Sequence, residues 1–324
     1  LGHMGIPWGK FLCNISYKYR FAANKNHIIM KIVITGSLGN IGRSLTERLV
    51  KAGHNITVIS SSENKKEAIQ TIGANAAIGS IMDEAFLAET FKGADVVYTM
   101  IPDNLQVSDY TNYITQIAQT YANALTIAGV SQLVNLSSNG AHLKEGAGPI
   151  SSMFHDEAIF NNIDGLVVKH LRPASFYINY YNSIPLIRNT GMMGSNYPGT
   201  TKLLLTHPLD IADAAFEEIT GPFSSNKIRF IASDEKTGTE VAHILGNAIG
   251  KPDLKWVEFT NEQFIGGLLQ SGHLSKHAAE GLAEMGIALG NGRITEEFYK
   301  NKPVLSKRKF EEFAIEFAKV YNQA

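Results

Sequence analysis

The stretch Lys31–Arg43, KIVITGSLGNIGR, constrains this chain more than any other. The β-branched run Ile32, Val33, Ile34, Thr35 reads as a strand, and Gly36, Gly39 and Gly42 punctuate a tight turn. Ile41, Leu45 and Leu49 then recur at helical spacing. Strand, glycine turn and helix start, in that order, are the parts of a phosphate cradle. Gly36 suits a turn conformation closed to residues with a Cβ, Gly39 allows close approach to a pyrophosphate, and Gly42 is expected to let the helix lie close on the strand. N–H groups at the helix start would face the anion. A second strand at Ile56–Ile59 follows at the spacing of a βαβ unit.

Strand and helix alternate onward. Helical apolar spacing covers Ala68, Ile69 and Ile72, a third strand is expected over 76–79, and Asp83 caps a helix bearing Phe86, Leu87 and Phe91. A fourth strand runs over 95–100, a long helix over 106–128, a fifth strand over 133–136, a helix over 151–162 and a sixth strand over 166–171. The pattern predicts an α/β fold, a Rossmann-type doubly wound parallel sheet with a smaller C-terminal α/β domain. The expected divisions are an extension at 1–29, a dinucleotide-binding domain at 30–175 and a substrate-pocket domain at 176–324, with some later elements returning to the sheet. The segment 184–199 reads as a glycine-rich connection whose Met192 and Met193 form a flexible rim. Further strands are expected over 202–205, 228–231 and 255–259. Phe310, Phe313 and Phe317 mark one buried face of a last helix.

The 324 residues carry a net charge of -1, with no basic excess to suggest nucleic acid as a partner. No apolar run reaches the ~20 residues needed to span a bilayer. Cys13 is the single cysteine, so no intramolecular disulfide forms, which fits a reducing, cytoplasmic setting. Residues 1–4, LGHM, read as a cloning scar, and Met30 is the expected native start. His142, His155, His170 and His207 lack metal-ligand spacing, and no metal is expected.

Cofactor choice turns on the end of the second strand. An acidic residue about 20 residues after the glycine turn bonds the ribose hydroxyls of NAD. Here Ser60, Ser61 and Ser62 are followed by Lys65 and Lys66. Hydroxyls and ammonium groups hold a 2′-phosphate that a carboxylate would repel, so NADP(H) is favoured over NAD(H).

These motifs resemble the NmrA-like branch of atypical short-chain dehydrogenases/reductases. TGSLGNIG (35–42) is similar to that family's TGATGxxG, LVNLSSNGA (133–141) to its fifth-strand signature, and LRPASFYIN (171–179) to its LRPxxFxxN segment. Glu157, Asp210-Ile211-Ala212 and the closing segment 295–317 continue the likeness, which is nearest to NADPH-dependent quinone oxidoreductases. The resemblance implies that Gly36, Ser37, Leu38, Gly39, Asn40, Ile41 and Gly42 surround the pyrophosphate. It also implies a nicotinamide in the cleft between the two domains. Met100, Ser137, Ser138 and Phe176 join Ser60, Ser61 and Lys65 as expected cofactor contacts. Ser60 replaces an arginine of several relatives.

The usual Tyr-x-x-x-Lys pair of short-chain dehydrogenases would fall near Ile150 and Phe154, neither of which moves a proton. Hydride transfer to a quinone or similar conjugated acceptor does not need that pair, because the product oxygens resemble phenols, with pKa ~10. His155 is the candidate acid, and His142, Phe154, Tyr177 and Tyr180 are the expected pocket wall. The alternative is a non-catalytic NADP(H)-binding redox sensor acting through a protein partner. The expected partners are otherwise a small quinone-like substrate and, as an open possibility, a second copy in a homodimer, with no nucleic acid and no membrane.

Overall fold

The structure, a computed structural model, describes residues 28–270, 272 and 274–323. Residues 1–27 of the extension, Cys13 among them, lie outside the described residues.

The first half builds β1 (Lys31–Ile34), α1 (Gly42–Lys51), β2 (Asn55–Ser60), α2 (Lys66–Thr71), β3 (Asn75–Ile78), α3 (Glu84–Phe91) and β4 (Val96–Thr99). It continues through α4 (Tyr110–Ala128), β5 (Gln132–Leu136), α5 (Ser152–Asn161) and β6 (Val167–Pro173). The long helix starts at Tyr110 rather than at 106. Asp109, in extended conformation, accepts from the Asn112 N–H at 2.9 Å and caps the helix there.

The second half adds β7 (Ser175–Phe176), α6 (Ile184–Thr190), β8 (Met192–Ser195), β9 (Lys202–Thr206), α7 (Pro208–Thr220), β10 (Lys227–Ile231), β11 (Asp234–Thr237) and α8 (Gly238–Ala248). Then come β12 (Lys255–Glu258), α9 (Asn261–Gln270), α10 (Lys276–Gly290), α11 (Glu296–Asn301) and α12 (Phe310–Gln323).

Seven strands form one parallel sheet in the order β10-β6-β5-β4-β1-β2-β3. Period-two alternation sends successive residues to opposite faces of the sheet. Ile32 and Ile34 pack with Leu45, Leu49 and Ile211 on one face, whereas Val33 packs with Leu87, Phe91 and Leu125 on the other. β10, far along the chain, completes the sheet beside β6.

A second core gathers Tyr177, Leu203, Val241, Leu245, Phe310, Phe313 and Phe317. Around it β7, β9 and β11 form a small mixed sheet, and β8 pairs with β12 in parallel. The segment expected as a flexible rim is therefore regular structure. Met193 is buried in the second core, and a Cβ at Gly194 would sit 1.9 Å from the Val257 carbonyl oxygen, so glycine lets β12 approach.

Candidate functional site

The strand order reverses between β1 and β4, and this is where an open α/β sheet leaves a crevice for a ligand. Two bonds fix the crevice floor. The Thr35 hydroxyl donates to the Met100 carbonyl at 3.1 Å and accepts from the Met100 N–H at 2.8 Å. Gly36 turns out of β1 at φ +87°, and a Cβ there would meet the Met100 side chain at 2.4 Å. Gly39 and Asn40 are exposed, and Ile41 at the start of α1 offers no capping side chain. The first-turn N–H groups of α1 thus lack a side-chain competitor for an anion. At Gly42 the close neighbour is not the strand: a Cβ would lie 2.3 Å from the Ser37 carbonyl oxygen, so this glycine admits the turn to its own helix.

A cavity of about 390 Å³ opens here, lined by Leu38, Gly39, Asn40, Arg43, Ser44, Glu47 and, from α7, Leu209. An exposed glycine backbone, an uncapped helix start and this cavity fit the pyrophosphate of a dinucleotide.

Ser60 is buried and already engaged. Its Oγ accepts from the Ser37 hydroxyl at 3.1 Å and from the Ser62 N–H at 3.3 Å, and it keeps one O–H to donate. Ser61 and Lys65 are exposed beside it. Lys66 is committed to Glu63 at 2.9 Å, and among the described residues Lys65 makes no ion pair.

Beyond β5, Ser137 is buried and donates to the Glu157 carboxylate at 2.5 Å, while Ser138 is half-buried and turns its hydroxyl to the Asn139 carbonyl. Glu157 also takes a two-pronged contact from Arg172, at 2.8 and 2.6 Å. Burial alone would raise the Glu157 pKa, but Arg172 and Ser137 outweigh it and hold the carboxyl below its ordinary range.

The neighbouring carboxyl behaves oppositely. Asp156 is fully buried, Asn135 donates to one of its oxygens at 2.6 Å, and the other oxygen has no partner. Burial pushes its pKa up to about 7, against the smaller lowering by Asn135. Asn135 in turn accepts from the Thr99 hydroxyl at 2.9 Å and lies 3.3 Å from His170 Nδ1. Burial brings His170 down to about 4, so the ring is neutral.

Among the expected wall residues, Phe154 and His155 are half-buried on α5, their rings edge-on at 5.5 Å. Phe176 is half-buried against the first core. His142 lies in the loop after β5 beside the Arg293 backbone, with both ring nitrogens buried, and burial lowers its pKa. Tyr177 and Tyr180 are elsewhere. The Tyr177 ring is fully buried against Phe310 and Phe313 and its hydroxyl donates to the Arg308 carbonyl at 2.9 Å, while Tyr180 packs edge-on to Phe310. Both were expected at the pocket wall. The three-residue-per-turn backbone of 177–183 instead turns these rings toward α12. Ile150 packs with Ala288 and Ile294, against α10.

Sequence reasoning passed over Asn135, Asp156 and Arg172. The available signal was a polar residue inside the apolar strand LVNL and adjacent carboxylates on the following helix. Among the described residues no cluster of metal-ligating side chains occurs, and no helix is long and apolar enough to cross a membrane.

Comparison with known proteins agrees with this geometry. Residues 36–164 match a family model described as NAD(P)H-binding. A (4-alkanoyl-5-oxo-2,5-dihydrofuran-3-yl)methyl phosphate reductase of Streptomyces griseus is 24% identical over 222 residues, 68% of this chain and 74% of that protein. Among solved structures, an NADPH-dependent quinone oxidoreductase of Escherichia coli, complexed with NADPH, superposes with a TM-score of 0.73 at 21% identity, covering 87% of this chain and 98% of that one. A triphenylmethane reductase of Citrobacter sp. complexed with NADP(H) superposes at 0.74 and 20% identity, over 89% and 99% of the two chains. These superpositions establish the shared fold.

Proposed function

We propose that this chain, whose residues 36–164 match a family model described as NAD(P)H-binding, is an NmrA-like, atypical short-chain dehydrogenase/reductase that reduces a quinone or similar small conjugated acceptor at the expense of NADPH. The observation that carries this reading is the pairing of an open glycine cradle with Ile150, in the turn before α5, and Phe154, on α5, where a tyrosine and lysine would serve an alcohol dehydrogenase. The reading is supported by the quinone and dye reductases among the proteins of the same fold.

When bound, NADPH supplies the hydride. Gly36 to Gly42 hold the pyrophosphate, while Ser61, Lys65 and the remaining O–H of Ser60 take the 2′-phosphate. Met100, Ser137, Ser138 and Phe176 confine the nicotinamide end. Phe154 and His142 bound the acceptor, and His155 delivers a proton. Weak acids suffice, because the product oxygens are phenol-like, with pKa ~10.

The test is NADPH oxidation followed by absorbance with a panel of quinones. Saturable NADPH binding without turnover above background refutes the enzyme and leaves the sensor. For the cofactor, Ser60→Asp is expected to reduce NADPH affinity at least tenfold while sparing NADH. Equal affinity of the unaltered protein for the two cofactors refutes the assignment of the serine turn.

A further inference from the structure

The helix α10 lies across both loops that leave the acceptor side of the sheet. At its start, Ser275 donates its N–H to the Leu105 carbonyl and its hydroxyl to the Val107 carbonyl, each at 3.2 Å, which ties α10 to the loop after β4. At mid-helix the Gly148 N–H donates to the Glu284 carboxylate at 3.1 Å, from the loop after β5. Beyond its end, Arg293 donates to the carbonyls of Glu145 and Gly146 at 3.3 and 3.4 Å.

Gly148 and Gly281 make the crossing possible. Gly148 sits at φ +55°, and a Cβ there would fall 1.9 Å from the Gly281 carbonyl oxygen. The seam has its own small apolar core, with Ala147, Ala288 and Ile294 buried and Ile150 packed on them. On the opposite side α10 is pinned to the second core's lobe. Asn196 donates to the Ala283 carbonyl at 2.7 Å and to Asn261, at the start of α9, at 2.8 Å, and Gly286 has no Cβ because Asn196 occupies that space.

One side of α10 is therefore anchored by a buried, satisfied amide. The other is held by partly exposed bonds and a small core, the low-stability kind of contact from which moving elements are drawn. The loops it covers continue from Met100 and from Ser137-Ser138.

We infer that α10 is a specificity strap: seated on the 102–109 and 141–150 loops, it limits the acceptor to small planar rings, and larger acceptors enter only when it lifts. This rests on the hydride-transfer reading for its substrate, though not for the strap itself.

Gly148→Ala wedges the loop off α10, and Glu284→Ala with Arg293→Ala removes the polar ties to the 141–150 loop without adding bulk. The probes are 1,4-benzoquinone and the three-ring 9,10-phenanthrenequinone. In either variant kcat/KM for the larger quinone is expected to rise about tenfold relative to the smaller, whose own value stays within about twofold. An unchanged ratio, or an equal loss for both, overturns the strap. Hydrogen exchange provides the independent arm. Amides of 142–150 in the double variant are expected to exchange about tenfold faster with 55–65 unaltered, and unaltered exchange in 142–150 overturns the inference. Should the unaltered protein reduce neither quinone, the hydride-transfer reading falls and the exchange result alone decides the strap.

Discussion

Asp156→Asn isolates the buried carboxyl beneath the sheet's carboxyl edge. The folded protein raises this group from 3.8 to about 7, chiefly by burial. A carboxyl with a raised folded pKa binds its proton in the native state where the unfolded chain has released it. Its contribution is therefore fully favourable below pH 4 and is lost as pH rises toward 7. The whole interval corresponds to about 4 kcal/mol at 1.36 kcal/mol per pKa unit. The portion between pH 5 and 8 is about 2–3 kcal/mol.

His170 acts in the opposite sense. Held down near 4, it costs stability as pH falls below the ordinary histidine value, so the unaltered protein's own curve mixes the two. The difference between protein and variant does not. In the variant the side-chain carbonyl still accepts from Asn135, and the new amide nitrogen lies where the unpartnered Asp156 oxygen lies now, a pH-independent offset of about 1–3 kcal/mol. Denaturant unfolding of both proteins across pH 5–8 is the assay. The stability difference is expected to move toward the variant by about 2–3 kcal/mol over that range. Parallel curves would refute a neutral buried Asp156.

Gly36→Ala places a Cβ against Met100 at positive φ, and NADPH titration by fluorescence is expected to show at least a tenfold loss of affinity. Arg172→Met strands the buried Glu157 carboxylate, with an expected loss of about 3–5 kcal/mol in unfolding free energy at pH 7. A loss below about 1 kcal/mol would mean that the pair is hydrated. Tyr177→Phe removes the bond to the Arg308 carbonyl and is expected to cost about 1 kcal/mol while leaving acceptor KM unaltered. A changed KM would return Tyr177 to the pocket.

The local features were legible because they are written in adjacent residues. Gly36 had to be glycine for its turn, and the β-branched run Ile32, Val33 and Ile34 announced a strand. Asp83 marked a helix start through its own side-chain chemistry, whereas α7 opens at Pro208 under a His207 cap, two residues before Asp210. What the sequence obscured was long-range. Met192–Ser195 looks like a loop until Lys255–Glu258 is brought alongside to supply its hydrogen bonds. The aromatic run 176–181 has the spacing of a pocket wall, but burial against Phe310 and Phe313 decides which way the rings face.

The sequence by itself determined the dinucleotide cradle, the parallel α/β order and the lack of a tyrosine–lysine pair on α5, since each depends on residue type at short spacing. Only the tertiary structure decided that Asp156 and Glu157, neighbours in the chain, carry opposite pKa shifts, and that α10 crosses two loops more than a hundred residues away. The physical reason is that desolvation and close backbone approach depend on what else is packed within a few ångströms, and the packing partners of α5 and α10 come from β5, β6 and the loops beyond them.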